Sequence, residues 1–117
     1  GYGAFGAVVG ADPKSGKERE ETAALRERYK NLFFLIPGYG AQGGAAEDAA
    51  LLLREGNGGV VNASRSILKA WTGKGGSGTA ATEKPEQSAT LDNVAEAARE
   101  ATVAMRDALR KAANITV

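Results

Sequence analysis

The sequence contains neither cysteine nor histidine among its 117 residues. Without cysteine, the chain has no disulfide framework and no thiolate ligands for a metal. Without histidine, it has no imidazole base, and a Ser-His-Asp triad cannot be assembled within this chain. Candidate chemistry is therefore restricted to groups other than thiols and imidazoles: carboxylates, hydroxyls, amides, amines, guanidinium groups and the backbone.

The sequence also lacks a charge excess and a long apolar run. Fifteen Lys and Arg residues nearly balance fourteen Asp and Glu residues, and a net charge of +1 gives no general attraction to nucleic acid or to a membrane. No apolar run reaches the roughly 18 residues that span a bilayer, and no signal-peptide pattern precedes the first apolar segment. We therefore expect a cytoplasmic protein with neither nucleic acid nor membrane as a partner.

The most informative stretch is residues 32–44, which read LFFLIPGYGAQGG. Five consecutive apolar residues predict a strand over residues 32–36 that is buried on both faces, as in a parallel sheet. Pro37 ends the strand because it has no N–H to donate. A glycine-rich loop follows, and residues 45–54 predict a helix closed by Gly56. In α/β proteins, ligands bind at such strand-to-helix loops.

Two further strands are predicted over residues 5–9 and 58–63, so strands recur about every 26 residues, as in a βαβ series. Residues 17–30 predict a charged helix with a thin apolar face that includes Leu25 and Tyr29, ending near Asn31. The longest predicted helix covers residues 91–113. Its apolar stripe is Val94, Ala98, Ala101, Met105, Ala108 and Ala112. The length predicts one α/β domain with parallel strands, and residues 72–88 predict an exposed, mobile loop.

Two residues after neighbouring predicted strands are candidates for binding an anion. Gln42 lies in the glycine-rich loop, where Gly43 allows a ligand to approach the backbone closely. Arg65 follows the third strand, and its planar fork suits a phosphate. An ordinary turn with a solvent-facing Gln42 and a salt-bridged surface Arg65 are the alternatives. The pair together matches the phosphate corner of many barrel enzymes.

Other segments carry weaker signals. Residues 73–79, GKGGSGT, differ from a P-loop because no Lys follows the last Gly and no strand precedes the segment. Asp12 and Lys14 follow the first strand, and ordinary turn residues are a better interpretation than a catalytic pair. Trp71 is expected to pack rather than to bind a base.

Two segments resemble a known family: residues 34–44, FLIPGYGAQGG, and residues 60–67, VVNASRSI. They resemble the C-terminal half of the orotidine 5′-phosphate decarboxylases, in particular the longer bacterial subfamily, whose sixth strand the first predicted strand fits. The resemblance runs from about residue 3 to residue 67 and more loosely through the last helix. It implies strands 6 to 8 of a (β/α)8 TIM barrel, within one domain that the chain only partly supplies.

The resemblance implies a carboxy-lyase that converts orotidine 5′-monophosphate to UMP in pyrimidine biosynthesis, without metal or organic cofactor. It implies that Gln42 touches the substrate phosphate and that Arg65 binds the phosphate dianion. Backbone N–H groups near Gly43 and Ser64 would complete this grip. The loop that would close over the substrate contains Pro37, Gly38, Tyr39 and Gly40.

The chain departs from this family in one respect. The family's Asp-x-Lys-x-x-Asp array, whose Lys protonates the carbanion, is absent, and Asp12 and Lys14 do not have its spacing. We therefore expect no catalytic residue in this chain, no activity from it alone, and the remaining barrel before Gly1. Expected partners are the N-terminal half of the same barrel and, for the complete enzyme, a second copy in a homodimer.

Two alternatives to this interpretation remain. One is another phosphate-binding TIM-barrel enzyme with the same corner and different chemistry. The other is a non-catalytic α/β fragment that assembles with its missing half. In either case, three parallel strands leave open sheet edges and an uncovered inner barrel face.

Overall fold

A computed structural model describes residues 1–40, 42–72 and 90–114. In these residues, three short strands form a parallel sheet in chain order: β1 (Gly6–Val8), β2 (Phe33–Ile36) and β3 (Gly59–Val61). Val8 pairs with Leu35, and Leu35 in turn pairs with Val60. The sheet confirms the predicted strand positions and the parallel order, with each strand shorter than its apolar run.

The helices lie between and after these strands. They are α1 (Gly16–Arg28), α2 (Ala46–Ala50), α3 (Ser64–Leu68) and α4 (Leu91–Ala112), with a 3-10 turn at Ala70–Thr72. Ser15 caps α1 by accepting a hydrogen bond from the Glu18 N–H, and Thr90 caps α4 by accepting one from the Asn93 N–H. Among the described residues, no helix is both long enough and apolar enough to cross a membrane.

The second predicted helix was too long. Instead of covering residues 45–54, α2 ends at Ala50. From Leu52 onward the N–H groups reach back only three residues: Leu52 to the Ala49 carbonyl and Leu53 to the Ala50 carbonyl, each at 3.1 Å. Gly56 does not close this helix. It lies in a separate turn in which Arg54 and Asn57 exchange two backbone hydrogen bonds of 2.8 Å.

The first helix also ends earlier than predicted. Tyr29 rather than Asn31 is its C-cap residue, and the Tyr29 N–H donates to the Leu25 carbonyl at 3.0 Å. Its inward face was predicted only in part, because Leu25 packs against the core but the buried residue of α1 is Arg26, which is 2% exposed. A buried arginine replaces the apolar contact that the pattern predicted.

The predicted burial of β2 on both faces is wrong for the described residues. Phe34 and Ile36 are fully buried, whereas Phe33 is 39% and Leu35 is 45% exposed. The helices cover one face of the sheet, and the other face presents Val8, Phe33, Leu35 and Val60, which we call the open face. The residues of β2 are thus apolar on both faces of the sheet, although only one of these faces is buried by the described residues.

The core lies between the sheet and the helices. Its fully buried members are Ala11, Phe34, Ile36, Ala49 and Leu52. Helix α4 packs on α2, α3 and the 3-10 turn, and its Leu109 reaches the core. The six residues of the apolar stripe predicted for this helix are all half-buried, which confirms the inward face. The predicted 72–88 loop lies outside the described residues except at Thr72.

Candidate functional site

The carboxyl ends of the three strands lie at one edge of the sheet, because the strands are parallel and adjacent. At this edge, the segments after β1 and β3 each form a backbone hydrogen bond with the end of β2 or the residue after it. The Ala11 N–H donates to the Pro37 carbonyl at 2.8 Å, and the Asn62 N–H donates to the Ile36 carbonyl at 2.9 Å. The segments that follow the three strands therefore begin side by side, and they carry Asp12, Gln42 and, at the start of α3, Arg65.

The loop after β2 folds back on itself through backbone hydrogen bonds. The Gly44 N–H donates to the Gly38 carbonyl at 3.0 Å, and the Gly40 N–H donates to the Gly44 carbonyl at 2.9 Å. A methyl group on Gly44 would lie 2.1 Å from the Ala11 carbonyl oxygen and 2.6 Å from that of Gly38. Only glycine fits at this position, and its absence of a side chain lets the loop dock on the end of β1.

Gln42 and Arg65 are both exposed at this edge. A methyl group on Gly40, two residues before Gln42, would lie 3.3 Å from Ser66 Oγ, so the loop after β2 touches the helix that carries Arg65. Within the described part of the chain, the Arg65 guanidinium has no ion-pair or hydrogen-bond partner. The loop after β2 and the neighbouring helix α3 therefore carry an amide and, among the described residues, an unpaired guanidinium.

The two other sequence-predicted donors have different surroundings. The Gly43 N–H donates to the Gly40 carbonyl at 2.8 Å, so it must exchange this bond before it can hold a ligand. Ser64 is the first residue of α3, where a backbone N–H has no intrahelical partner, and its hydroxyl donates to Asn62 Oδ1 at 3.1 Å.

Tyr39 has a perturbed phenol within the same loop. Burial, together with the negative charge of Glu47 at the start of α2, raises the pKa of Tyr39 above its ordinary value of 10.0. The phenol therefore stays neutral at physiological pH, and it can donate a hydrogen bond but carries no charge that would oppose an anion.

Asp12 and Lys14 join the edge from the β1 side. Their side chains form an ion pair of 2.9 Å, which the interpretation as ordinary turn residues did not include. The signal that points to them is position alone, because they follow the carboxyl end of a strand just as Gln42 and Arg65 do. In the described ranges, no group of three or more acidic side chains converges as a metal site.

Comparison with known proteins confirms the resemblance. No family model matches the chain. It is 46% identical over 110 residues to the orotidine 5′-phosphate decarboxylase of Clostridium acetobutylicum, covering 94% of this chain and 32% of that protein. It is 54% identical over 71 residues to the enzyme of the same name from Petrotoga mobilis, covering 61% of this chain and 23% of that protein.

A third relative also matches nearly the whole of this chain but only a minor share of its own length. The orotidine 5′-phosphate decarboxylase of Clostridium perfringens is 42% identical over 112 residues, which are 96% of this chain and 32% of that protein. The chain thus spans about a third or less of the curated relatives it matches. Similarity over nearly the whole chain but a minor share of each relative is consistent with a C-terminal portion, and the small parallel sheet is consistent with part of a barrel.

Proposed function

We propose that this chain is the C-terminal portion of an orotidine 5′-phosphate decarboxylase and supplies its phosphate-binding loops. The observation that carries the proposal is the position of Gln42 and Arg65 after neighbouring strands of a parallel sheet, in a chain 46% identical to such an enzyme over 94% of its length. The activity is that of a carboxy-lyase, which converts orotidine 5′-monophosphate to UMP.

Arg65 is the principal anion ligand in this proposal. Its exposed guanidinium is not engaged by a carboxylate of the described residues, so its donors are available for two phosphate oxygens at once. The Gln42 amide adds a further donor from the neighbouring loop. The N–H groups of Ser64 and, after exchange of its present bond, Gly43 complete the grip.

The loop of Pro37, Gly38, Tyr39 and Gly40 closes over the substrate in the complete enzyme. Gly38 and Gly40 have φ values of 97° and 74°, a region that glycine adopts without strain, so the loop can change shape at these positions. Closure excludes water from the reacting pyrimidine and uses binding energy from the remote phosphate. The reacting Lys and Asp residues lie outside this chain.

The open face of the sheet is where the rest of the barrel belongs. Leu35 and Val60 are paired at its centre and are 45% and 53% exposed. Inward-facing residues of a closed (β/α)8 barrel form a packed core, so this face requires the remaining strands as its cover. The outer edges of β1 and β3 are the positions at which those strands add. The complete barrel is expected to form a homodimer.

A chimera tests the proposal. This chain would replace the matching C-terminal portion of the Clostridium acetobutylicum relative, and UMP formation would be measured with the purified fusion. We expect turnover, and we expect Arg65→Ala to lower kcat/KM by about 100-fold or more, as loss of a charged phosphate contact does. Leu35→Lys, which places a charge in the barrel interior, should prevent folding of the fusion.

The control is Arg110→Ala, which removes an exposed arginine from the last turn of α4. It should leave kcat/KM unchanged. A folded fusion that forms no UMP would contradict the decarboxylase assignment. Equal activity of the Arg65→Ala and Arg110→Ala fusions would contradict the phosphate role of Arg65.

A further inference from the structure

The Asp12 carboxylate lies close to two glycines. A methyl group on Gly10 would lie 2.7 Å from Asp12 Oδ1, and one on Gly38 would lie 3.5 Å from the same oxygen. The other carboxylate oxygen, Oδ2, is ion-paired with Lys14 at 2.9 Å. Asp12 is thus aimed at the base of the loop after β2, with its charge balanced by Lys14.

The Gln42 amide oxygen also lies close to Gly38. The methyl group on Gly38 that would lie 3.5 Å from Asp12 Oδ1 would also lie 3.5 Å from Gln42 Oε1. Asp12 Oδ1 has no hydrogen-bond donor among the described residues. The amide oxygen and nitrogen of glutamine have nearly the same shape, so a rotation of the amide turns its NH2 group toward this oxygen.

We propose that Asp12 is a positioning residue for Gln42. Asp12 Oδ1 accepts one N–H of the Gln42 amide, and the second N–H of that NH2 group is thereby held outward to donate to an anion. Lys14 offsets the negative charge that Asp12 would otherwise place beside the anion. The inference rests on the proposed function in that the anion is the phosphate of the substrate.

The affinity of the chimera for UMP tests this role. We expect Asp12→Ala to weaken UMP binding about fivefold, the equivalent of one modest hydrogen bond, and to raise KM while leaving kcat nearly unchanged. Asp12→Asn keeps an acceptor oxygen in place and should restore most of the affinity. In a Gln42→Ala background, Asp12→Ala should have no further effect. The control is Glu20→Ala, which removes another exposed acid.

A second measurement does not depend on UMP binding. In ¹⁵N spectra of the chimera, the side-chain NH2 signal of Gln42, assigned by its loss in Gln42→Ala, should shift in Asp12→Ala and stay in place in Glu20→Ala. An unshifted signal together with unchanged affinity in Asp12→Ala would overturn the inference, even where Arg65→Ala abolishes binding. Absence of UMP binding in every variant would instead remove the proposed function, and the Gln42 signal would still decide the contact.

Discussion

The two ends of the sheet use arginine in opposite ways. At the amino end, the Arg26 guanidinium is buried and donates to the carbonyls before β2 and β3, including those of Leu32 at 2.9 Å and Gly58 at 3.3 Å. At the carboxyl end, Arg65 is exposed, and no described residue forms an ion pair or hydrogen bond with its guanidinium. One arginine has its donors engaged within the fold, whereas the donors of the other are not engaged by the described residues.

The surroundings of Arg26 explain why it belongs to the fold. Its guanidinium also donates to the carbonyls of Tyr29 and Leu52, and it stacks over the Phe34 ring with its central carbon 4.2 Å from the ring centroid. These contacts join the end of α1, the segment after α2 and both strand starts. A charge buried among carbonyls needs most of its donors paired, and only Nε lacks a partner. The amino end of the sheet therefore contributes to stability, and under the proposed function the carboxyl end binds the ligand.

Removal of Arg26 should have the largest effect on stability. Arg26→Ala leaves four main-chain carbonyls without their donor and opens a cavity beside Phe34, so we expect a loss of about 3 kcal/mol or more in the free energy of unfolding. Urea unfolding followed by circular dichroism measures it. Arg28→Ala, two residues along the same helix and exposed, should cost less than about 0.5 kcal/mol. Equal unfolding midpoints for the two variants would contradict the stabilising role of Arg26 at the amino end of the sheet.

The strand ends could be predicted from the sequence because the signals are local. Pro37 and the glycines after it mark the end of β2, and Asn62 to Arg65 directly follow the apolar run of β3. Parallel order then places the loops at one edge. The apolar stripe of α4 was equally readable, because its side chains recur at helical spacing and meet the other helices along that face.

The role of Arg26 could not be predicted from the sequence, because its partners are main-chain carbonyls up to 32 residues away and carbonyls carry no residue signature. The early end of α2 escaped prediction for a related reason. The chain turns more tightly after Ala50 and buries Leu52, although residues 51–53 are all leucine and favour helix. The exposure of Phe33 and Leu35 on the open face could not be predicted either, because apolar residues indicate burial and the described residues do not cover this face.

Gly44→Ala should have the next largest effect, now at the carboxyl end. The added methyl would overlap the Ala11 and Gly38 carbonyl oxygens, so the loop must leave the end of β1, at a cost of about 2 kcal/mol in unfolding free energy. In the chimera, UMP binding should weaken as well, because Gln42 moves with the loop. Gly16→Ala has no neighbouring atom within 4 Å and should change neither quantity appreciably. Unaltered UMP affinity in Gly44→Ala would show that UMP binding does not require the loop after β2 to dock on the end of β1.

The smallest expected effect concerns the Tyr39 phenol. Its pKa in the folded chain lies above the unfolded value of about 10, because burial and the Glu47 charge both disfavour the phenolate. Between these two values the folded state keeps a proton that the unfolded state has lost. The stabilisation is therefore complete below the unfolded pKa and disappears as pH rises through the folded pKa. Absorbance titration, with Tyr39→Phe to identify the signal, should show the pKa fall in Glu47→Gln and stay unchanged in Glu20→Gln. A Tyr39 pKa that does not respond to Glu47→Gln would leave burial as the sole cause, and the loop would then dock on the start of α2 without electrostatic coupling between them.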